Sequence, residues 1–312
     1  MTSSPVHVAV GVIENEQGEI LIARRPDHLH QGGLWEFPGG KVEADETVLE
    51  ALQREFAEEV ALTINRSEPL IRIPFNYSDK HVLLDVQRVT RYQGAAEGME
   101  GQEVRWVKKD ELVKYDFPAA NRTIIHSINL PETYLITGKF QDRDDFKHHL
   151  INALRKGIKL VQLRLRQSDD VEFLEFATIA KHVCAEHGAR LLLNTATDFV
   201  QKNDFDGVHL NSHRLMQCDS RPIDKDKWLA ASVHNEEELE QANVIEADFI
   251  VVSPVLPTPS HPGEAGLGWD SFHALAEQAT MPVYALGGMS EQTIKQARDL
   301  GAQGIAGISN WW

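Results

Sequence analysis

"GGKVEADETVLEALQREFAEEVALTI", residues 39–64, decides how the first half of the chain is read. Leu49, Leu52 and Phe56 recur at helical spacing and predict an amphipathic helix with a buried side. At 100° per residue, Glu55, Glu58 and Glu59 fall within an arc of about 100° beside that apolar stripe. Like charges at this spacing repel, so the helix accepts a local cost. One reading is a solvated acidic face. The other is a divalent cation, which removes the repulsion, because Mg2+ takes hard oxygen ligands and bridges carboxylates to phosphate oxygens. Arg54 can orient a neighbouring carboxylate by a charge-assisted hydrogen bond. Gly39 and Gly40, after Pro38, allow a tight loop that brings backbone close to a substrate.

The rest of the chain bounds the choice. Its 312 residues suffice for two ordinary domains, and 42% apolar with 25% charged residues is a globular composition. A net charge of −16 excludes a basic nucleic-acid-binding face, although a bound metal can invert the local field for a free nucleotide. Cys184 and Cys218 are the only cysteines and read as reduced thiols of a cytoplasmic protein. The first twenty residues show no basic region followed by an apolar run, so no signal peptide is expected. No window is long and apolar enough for a membrane span. The fourteen histidines show no zinc spacing.

Two halves differ in pattern. Up to about residue 130, "VHVAVGVI" and "EILIARR", separated by the turn signal "ENEQG", predict a hairpin. The acidic helix follows, then strands in "LIRIPFNY", "HVLLDVQRVT" and "EVRWV", an α+β order with a mixed sheet. "NLPET" at 129–133 reads as a linker between domains 1–130 and 131–312. Beyond it, "TYLIT", "KLVQLRL", "ARLLLN", "DGVHL", "WLAASV", "DFIVVSP", "PVYALGG" and "QGIAGIS" are eight short apolar runs. Helix-like segments at 142–156, 169–187, 235–246, 270–279 and 290–300 separate most of them, which predicts a compact (β/α)8 barrel. Arg164, Asn194, His209, Ser232, Ser253, Gly287 and Gly288 stand at the strand C-termini, the end where barrel sites lie.

Gly40, five residues, Glu46, seven residues and then Arg54-Glu55-Phe56-Ala57-Glu58-Glu59 resembles the signature of the Nudix hydrolases, with Ala61 where the family usually has glycine. The resemblance implies an α/β/α sandwich and Mg2+-dependent hydrolysis of a nucleoside diphosphate linked to another group, with Mn2+ as an alternative ion. It implies that Glu55, Glu58 and Glu59 are metal ligands, that Arg54 orients a carboxylate and that Glu46 is structural. The surrounding sequence is similar to the MutT branch, which hydrolyses 8-oxo-dGTP to the monophosphate and pyrophosphate and so cleans the nucleotide pool for DNA replication and repair. On that likeness, Arg24 stands near the phosphates and Phe37 near the base, Glu100 is a further metal ligand or base, and Asn121 reads the purine. An Asn side chain offers both a donor and an acceptor to a purine edge. Asn121 also suits a helix N-cap before "RTIIHSI".

The second half, from about 133 to 309, resembles thiamine phosphate synthase and its TenI-type relatives through "VQLRLR", "LLLNT", "GVHLNS", "ASVH", "VVSPVLPTPSH" and "ALGGM". The resemblance implies that Gln162, Arg164 and Asn194 are ligand contacts, that Thr258 lies over a thiazole phosphate, and that Gly287 and Gly288 cradle that phosphate. It also matches His234 to the histidine of the thiazole tautomerases; a histidine at a strand end satisfying a hydrogen bond is the plainer reading. Several synthase positions differ: Thr195 and Arg214 replace the expected acidic Mg2+ ligands, His261 after Ser260 replaces a lysine, and Arg166 stands at the second basic position. A neutral hydroxyl and a guanidinium cannot hold Mg2+ on a diphosphate.

Three readings follow. The first is a MutT-type diphosphatase fused to a barrel without synthase activity. In the second, the Nudix half hydrolyses a thiamine-pathway diphosphate while the barrel binds or tautomerises thiazole phosphate. In the third, the barrel is a non-catalytic module. The expected partners are a small nucleotide and a phosphorylated thiazole, with neither nucleic acid nor membrane.

Overall fold

The computed structural model describes residues 5–27, 31–76, 81–165, 168–258 and 265–312. Arg166, Ser260 and His261 lie outside the described residues. The chain divides into two compact units, Met1–Asn129 and Leu130–Trp312.

In the first unit, β1 (Val6–Ile13), β2 (Glu19–Arg24), β3 (Trp35–Glu36) and β4 (Gly39–Lys41) precede α1 (Val48–Val60); β5 (Thr63–Asn76), β6 (His81–Gln93), β7 (Val104–Lys108) and α2 (Asn121–Asn129) follow. One sheet has the order β4-β1-β6-β5 and the other β3-β2-β7. β1 is central and runs parallel to β6 but antiparallel to β4. Its alternation serves two cores. Val10 and Val12 pack with Ile124, Ile125 and Ile128 of α2, while Ala9 and Ile13 pack with Leu52 and Phe56 of α1. The result is an α/β/α sandwich.

The expected hairpin between β1 and β2 is corrected. The turn forms, with the Asn15 side chain accepting from the Gln17 and Glu19 amides, but the ladder stops at the Glu14–Ile20 bridge and the adjoining Asn15–Glu19 hydrogen bonds. β1 is buried on both faces and takes β4 and β6 as partners, so β2 pairs instead with β3 and β7. A turn signal fixes a reversal of direction; the ladder partner is a tertiary matter.

The second unit begins with β8 (Thr133–Ile136), α3 (Arg143–Arg155), β9 (Leu160–Leu163), α4 (Asp170–Glu186), β10 (Arg190–Leu193), α5 (Thr197–Lys202) and β11 (Gly207–Leu210). It continues with α6 (Ser212–Leu215), β12 (Trp228–Val233), α7 (Glu236–Val244), β13 (Phe249–Val252), α8 (Gly268–Gln278), β14 (Val283–Leu286), α9 (Ile294–Asp299) and β15 (Gly304–Gly307). All eight strands are parallel to their neighbours and β15 pairs with β8, so the barrel is closed. Tyr134, Ile136, Leu192, Phe249, Tyr284 and Ala306 point inward, and Leu135, Val161, Leu191 and Val208 pack outward under the helices. The short helices α5 and α6 lie outside the helix-like segments read from the sequence, because six and four residues are too few to show a period.

Candidate functional site

The acidic helix is well anchored. Thr47 caps α1, accepting from the Glu50 amide, while the Glu50 carboxylate accepts from the Thr47 amide at 2.8 Å. Its apolar face is sealed: Phe56 lies so close to Gly11 that a Cβ there would stand 2.4 Å from the ring. Ala61 ends the helix in the left-handed conformation, φ 57°, where a side chain is disfavoured.

β4 brings the glycines against this helix. Gly39 pairs with Val10 at φ 152°, and a Cβ there would meet the Ala9 carbonyl oxygen at 2.2 Å. A Cβ on Gly40 would stand 2.1 Å from the Glu55 carboxyl carbon. Gly39 therefore excludes any larger residue, whereas a side chain at Gly40 would displace the Glu55 carboxylate. Arg54 grips Glu46 through two parallel hydrogen bonds of 3.0 and 2.9 Å, reaches the Lys41 carbonyl at 2.9 Å and binds Glu55 at 2.5 Å. It thus ties loop 41–46 to the helix and orients one carboxylate of the acidic run.

These elements wall a cleft of about 400 Å³. Glu55, Glu59, Glu100, Gly39 and Gly40 line it, together with Arg24, Phe37 and Asn121. Phe37 is buried and stacks on Phe117 at 5.3 Å. Asn121 is buried in the first turn of α2. Arg24 donates to the Gly33 carbonyl at 3.2 Å and pairs with Asp27 at 3.1 Å. Glu100 arrives because the Glu97 and Met99 amides bond the carbonyls of Val60 and Glu59, hooking its loop to the end of α1.

Glu58 is placed differently. Its side chain is 63% exposed, 4.0 Å from Arg54 Nη1, and is not among the cleft-lining residues. Among the described residues no three acidic or imidazole groups are already grouped as a metal site.

Sequence reasoning missed Glu36. It lines the cleft, pairs with Arg25, and is raised from its ordinary pKa by burial. Its only signal was position, an acidic residue directly before Phe37 in "WEFPGG". Glu59 is pushed up to about 8, first by burial and then by the charges of Glu36, Glu55 and Glu100. Four carboxylates, Glu36, Glu55, Glu59 and Glu100, thus line one cleft. These are hard oxygen donors, and the set fits Mg2+ or Mn2+.

The barrel has its own cavity, about 740 Å³, at the C-terminal ends of the strands. Gln162, Arg164, Asn194, His234, Thr258, Gly287 and Gly288 all line it. None of the described residues lining it is Asp or Glu. Gly287 and Gly288 adopt φ of 101° and 68° and pack against Pro254 and Leu256. Beneath the cavity runs a head-to-tail series of hydrogen bonds. Arg214 donates to Asn194 at 3.3 Å, Asn194 to Gln162 at 3.1 Å, and Gln162 to the Tyr134 hydroxyl at 3.2 Å. Tyr134 in turn meets His209 Nδ1 at 3.1 Å, and His209 Nε2 meets Ser232 at 2.9 Å. Burial, helped by the charge of Arg164, pushes His209 down to about 3 and keeps its ring neutral; because Gln162 already donates to the Tyr134 oxygen, the Tyr134 proton is directed to Nδ1, which leaves Nε2–H for Ser232.

The molecule is thus defined as an α/β/α unit with a carboxylate-bearing cleft, fused to a closed (β/α)8 barrel whose cavity has no carboxylate among its described lining residues. The chain belongs to the Nudix family through its first unit and to the thiamine monophosphate synthase (TenI) family through its second. The NUDIX domain family matches residues 9–127, and the thiamine monophosphate synthase family matches 133–310. The 8-oxo-dGTP diphosphatase of Escherichia coli is 38% identical over 38% of this chain and 93% of its own length. That of Haemophilus influenzae is 37% identical over 43% of this chain and 98% of its own length. The thiamine-phosphate synthase of Vibrio campbellii is 30% identical over 58% of this chain and 90% of its own length.

Proposed function

We propose that the first unit is a Mg2+-dependent nucleoside triphosphate diphosphatase that takes 8-oxo-dGTP to 8-oxo-dGMP and pyrophosphate. The carrying observation is one cleft that holds Glu55, Glu59 and Glu100 at one side and Arg24, Phe37 and Asn121 at the other. Glu55, Glu59 and Glu100 would hold the ion, with Glu58 joining from the adjoining helix edge. A bound divalent cation neutralises phosphate charge and activates water for attack on phosphorus. Arg54 binds Glu55 at 2.5 Å and holds it against the Gly40 strand. Arg24 meets phosphate charge, Phe37 gives the base an apolar wall, and Asn121 offers its amide to the purine edge. Mn2+ satisfies the same donor set. The site of action that fits this role is the cytoplasm; no helix among the described residues is long and apolar enough to cross a membrane.

The test is pyrophosphate release from 8-oxo-dGTP and dGTP side by side, compared as kcat/KM. A strong preference for the oxidised nucleotide supports the reading. Equal or negligible rates move it to a thiamine-pathway diphosphate, the reading that the fused barrel favours.

For the barrel, the reading best supported is a site for a small phosphorylated ligand such as a thiazole phosphate, without synthase activity. Arg214 donates to Asn194, and the described lining residues offer guanidinium and amide groups where Mg2+ would need carboxylates. Millimolar thiazole phosphate should raise the melting temperature of the full chain; no shift leaves the purely structural reading.

A further inference from the structure

His234 directly follows β12 and lines the barrel cavity. Its Nδ1 lies 2.7 Å from Glu238 Oε2, and its backbone amide donates to the same oxygen at 2.7 Å. The other oxygen, Glu238 Oε1, accepts from the Ser212 hydroxyl. Glu238 is itself fixed in the first turn of α7, where its amide donates to the N-cap Asn235 at 2.9 Å. Burial acts to raise the Glu238 pKa, but the hydrogen bonds from Ser212 and His234 outweigh it and leave the carboxyl lowered. An ionised carboxylate only accepts, so Nδ1 of His234 carries the proton. The lone pair of the neutral ring is then at Nε2, which faces Ser253 Oγ at 3.5 Å and the cavity.

We propose that Glu238 is a positioning residue which, braced by Ser212, holds His234 in the Nδ1–H tautomer and so makes Nε2 the proton acceptor of the barrel cavity. The inference rests on reading the cavity as a ligand site. The ligand it suits carries an O–H, N–H or acidic C–H within reach of Nε2. When that bond breaks, its proton bonds to Nε2 and its electron pair stays on the ligand; the imidazolium that forms is offset by Glu238. Neither Glu238 nor Ser212 needs to touch the ligand. The sequence hint was only a glutamate four residues after the histidine, which is common on any helix.

The experiment uses the full chain with 15N-labelled histidine, without ligand, above neutral pH. Long-range 1H–15N spectra report which ring nitrogen is protonated, and His234→Gln identifies the His234 signals. Wild type should show Nδ1 protonated and Nε2 bare. Glu238→Ala should move the proton to Nε2, whereas Glu238→Gln, whose amide oxygen still accepts from Nδ1, should keep the wild-type pattern. Carbethoxylation of the His234 peptide should slow about tenfold in Glu238→Ala, the scale of losing a partner that fixes a histidine's tautomer. A protonated Nε2 in the wild type, or an unchanged tautomer in Glu238→Ala, overturns the proposal. Should Glu238→Ala fail to fold, the wild-type spectrum still decides. Absence of phosphate-ligand binding would count against the cavity reading and leave the tautomer result standing.

Discussion

A Cβ on Gly40 would stand 2.1 Å from the Glu55 carboxyl carbon, so the glycine strand and the acidic helix meet directly at the cleft that Glu59 also lines. In that cleft, burial and the charges of Glu36, Glu55 and Glu100 raise Glu59 to about 8. On the proposed reading, Glu59 would be the group on which a metal ion and a proton compete.

The first prediction follows from that competition. Below about 8 a proton must leave Glu59 before a cation binds there. The apparent Kd for Mg2+ should fall about tenfold per pH unit up to that point and then level off. Calorimetric titrations between pH 6 and 9 measure it. In metal-free protein the sign reverses for stability. Glu59 in the fold holds its proton up to about 8, while the unfolded chain releases it near 4.5. Its contribution is complete below the lower value and is lost as pH rises across that window.

Glu58 separates function from fold. Its side chain is 63% exposed, so Glu58→Gln should change stability by no more than about 0.5 kcal/mol. If it joins the metal set, turnover should drop on the order of hundredfold. Pyrophosphate release at the wild-type rate from a folded Glu58→Gln protein would contradict that role.

Ala61 is a local cost that can be removed. At φ 57° its side chain carries a left-handed penalty of roughly 1–2 kcal/mol. Glycine relieves this but adds about 0.5–1 kcal/mol of unfolded-state entropy. Ala61→Gly should stabilise the first unit by about 0.5–1 kcal/mol, read as a rise in denaturation midpoint at unchanged slope.

In the barrel, Tyr134→Phe would remove one hydroxyl and strand two buried partners, Gln162 Nε2 and His209 Nδ1. The expected loss is about 1–3 kcal/mol, a drop of several degrees in the melting temperature of the second unit. Differential scanning calorimetry of the full chain measures it; an unchanged transition would mean that the network is not closed as described.

Much of the architecture was legible because its signals are local. The eight apolar runs of the second half are the eight barrel strands, and Leu52 and Phe56 are the buried side of α1. The spacing of Gly39, Gly40, Arg54 and Glu55 was readable too, since each pair is joined by one turn or one helix. What escaped was non-local. Nothing near Glu36 announces that it will face Glu59, and "ENEQG" could not say that β1 and β2 enter different sheets.

The sequence by itself determined the acidic helix, the eight barrel strands, the two families and the roster of charged groups, because helix period, strand alternation and motif spacing act over a few residues. Tertiary structure alone decided which carboxylates share the cleft. Helical spacing puts Glu55, Glu58 and Glu59 on one arc, but packing of β3, β4 and the 97–102 loop selects Glu55 and Glu59 to line the cleft, adds Glu36 and Glu100, and leaves Glu58 at the rim. The same holds for the barrel, where burial rather than sequence makes His209 neutral and turns five hydrogen bonds into one directed series.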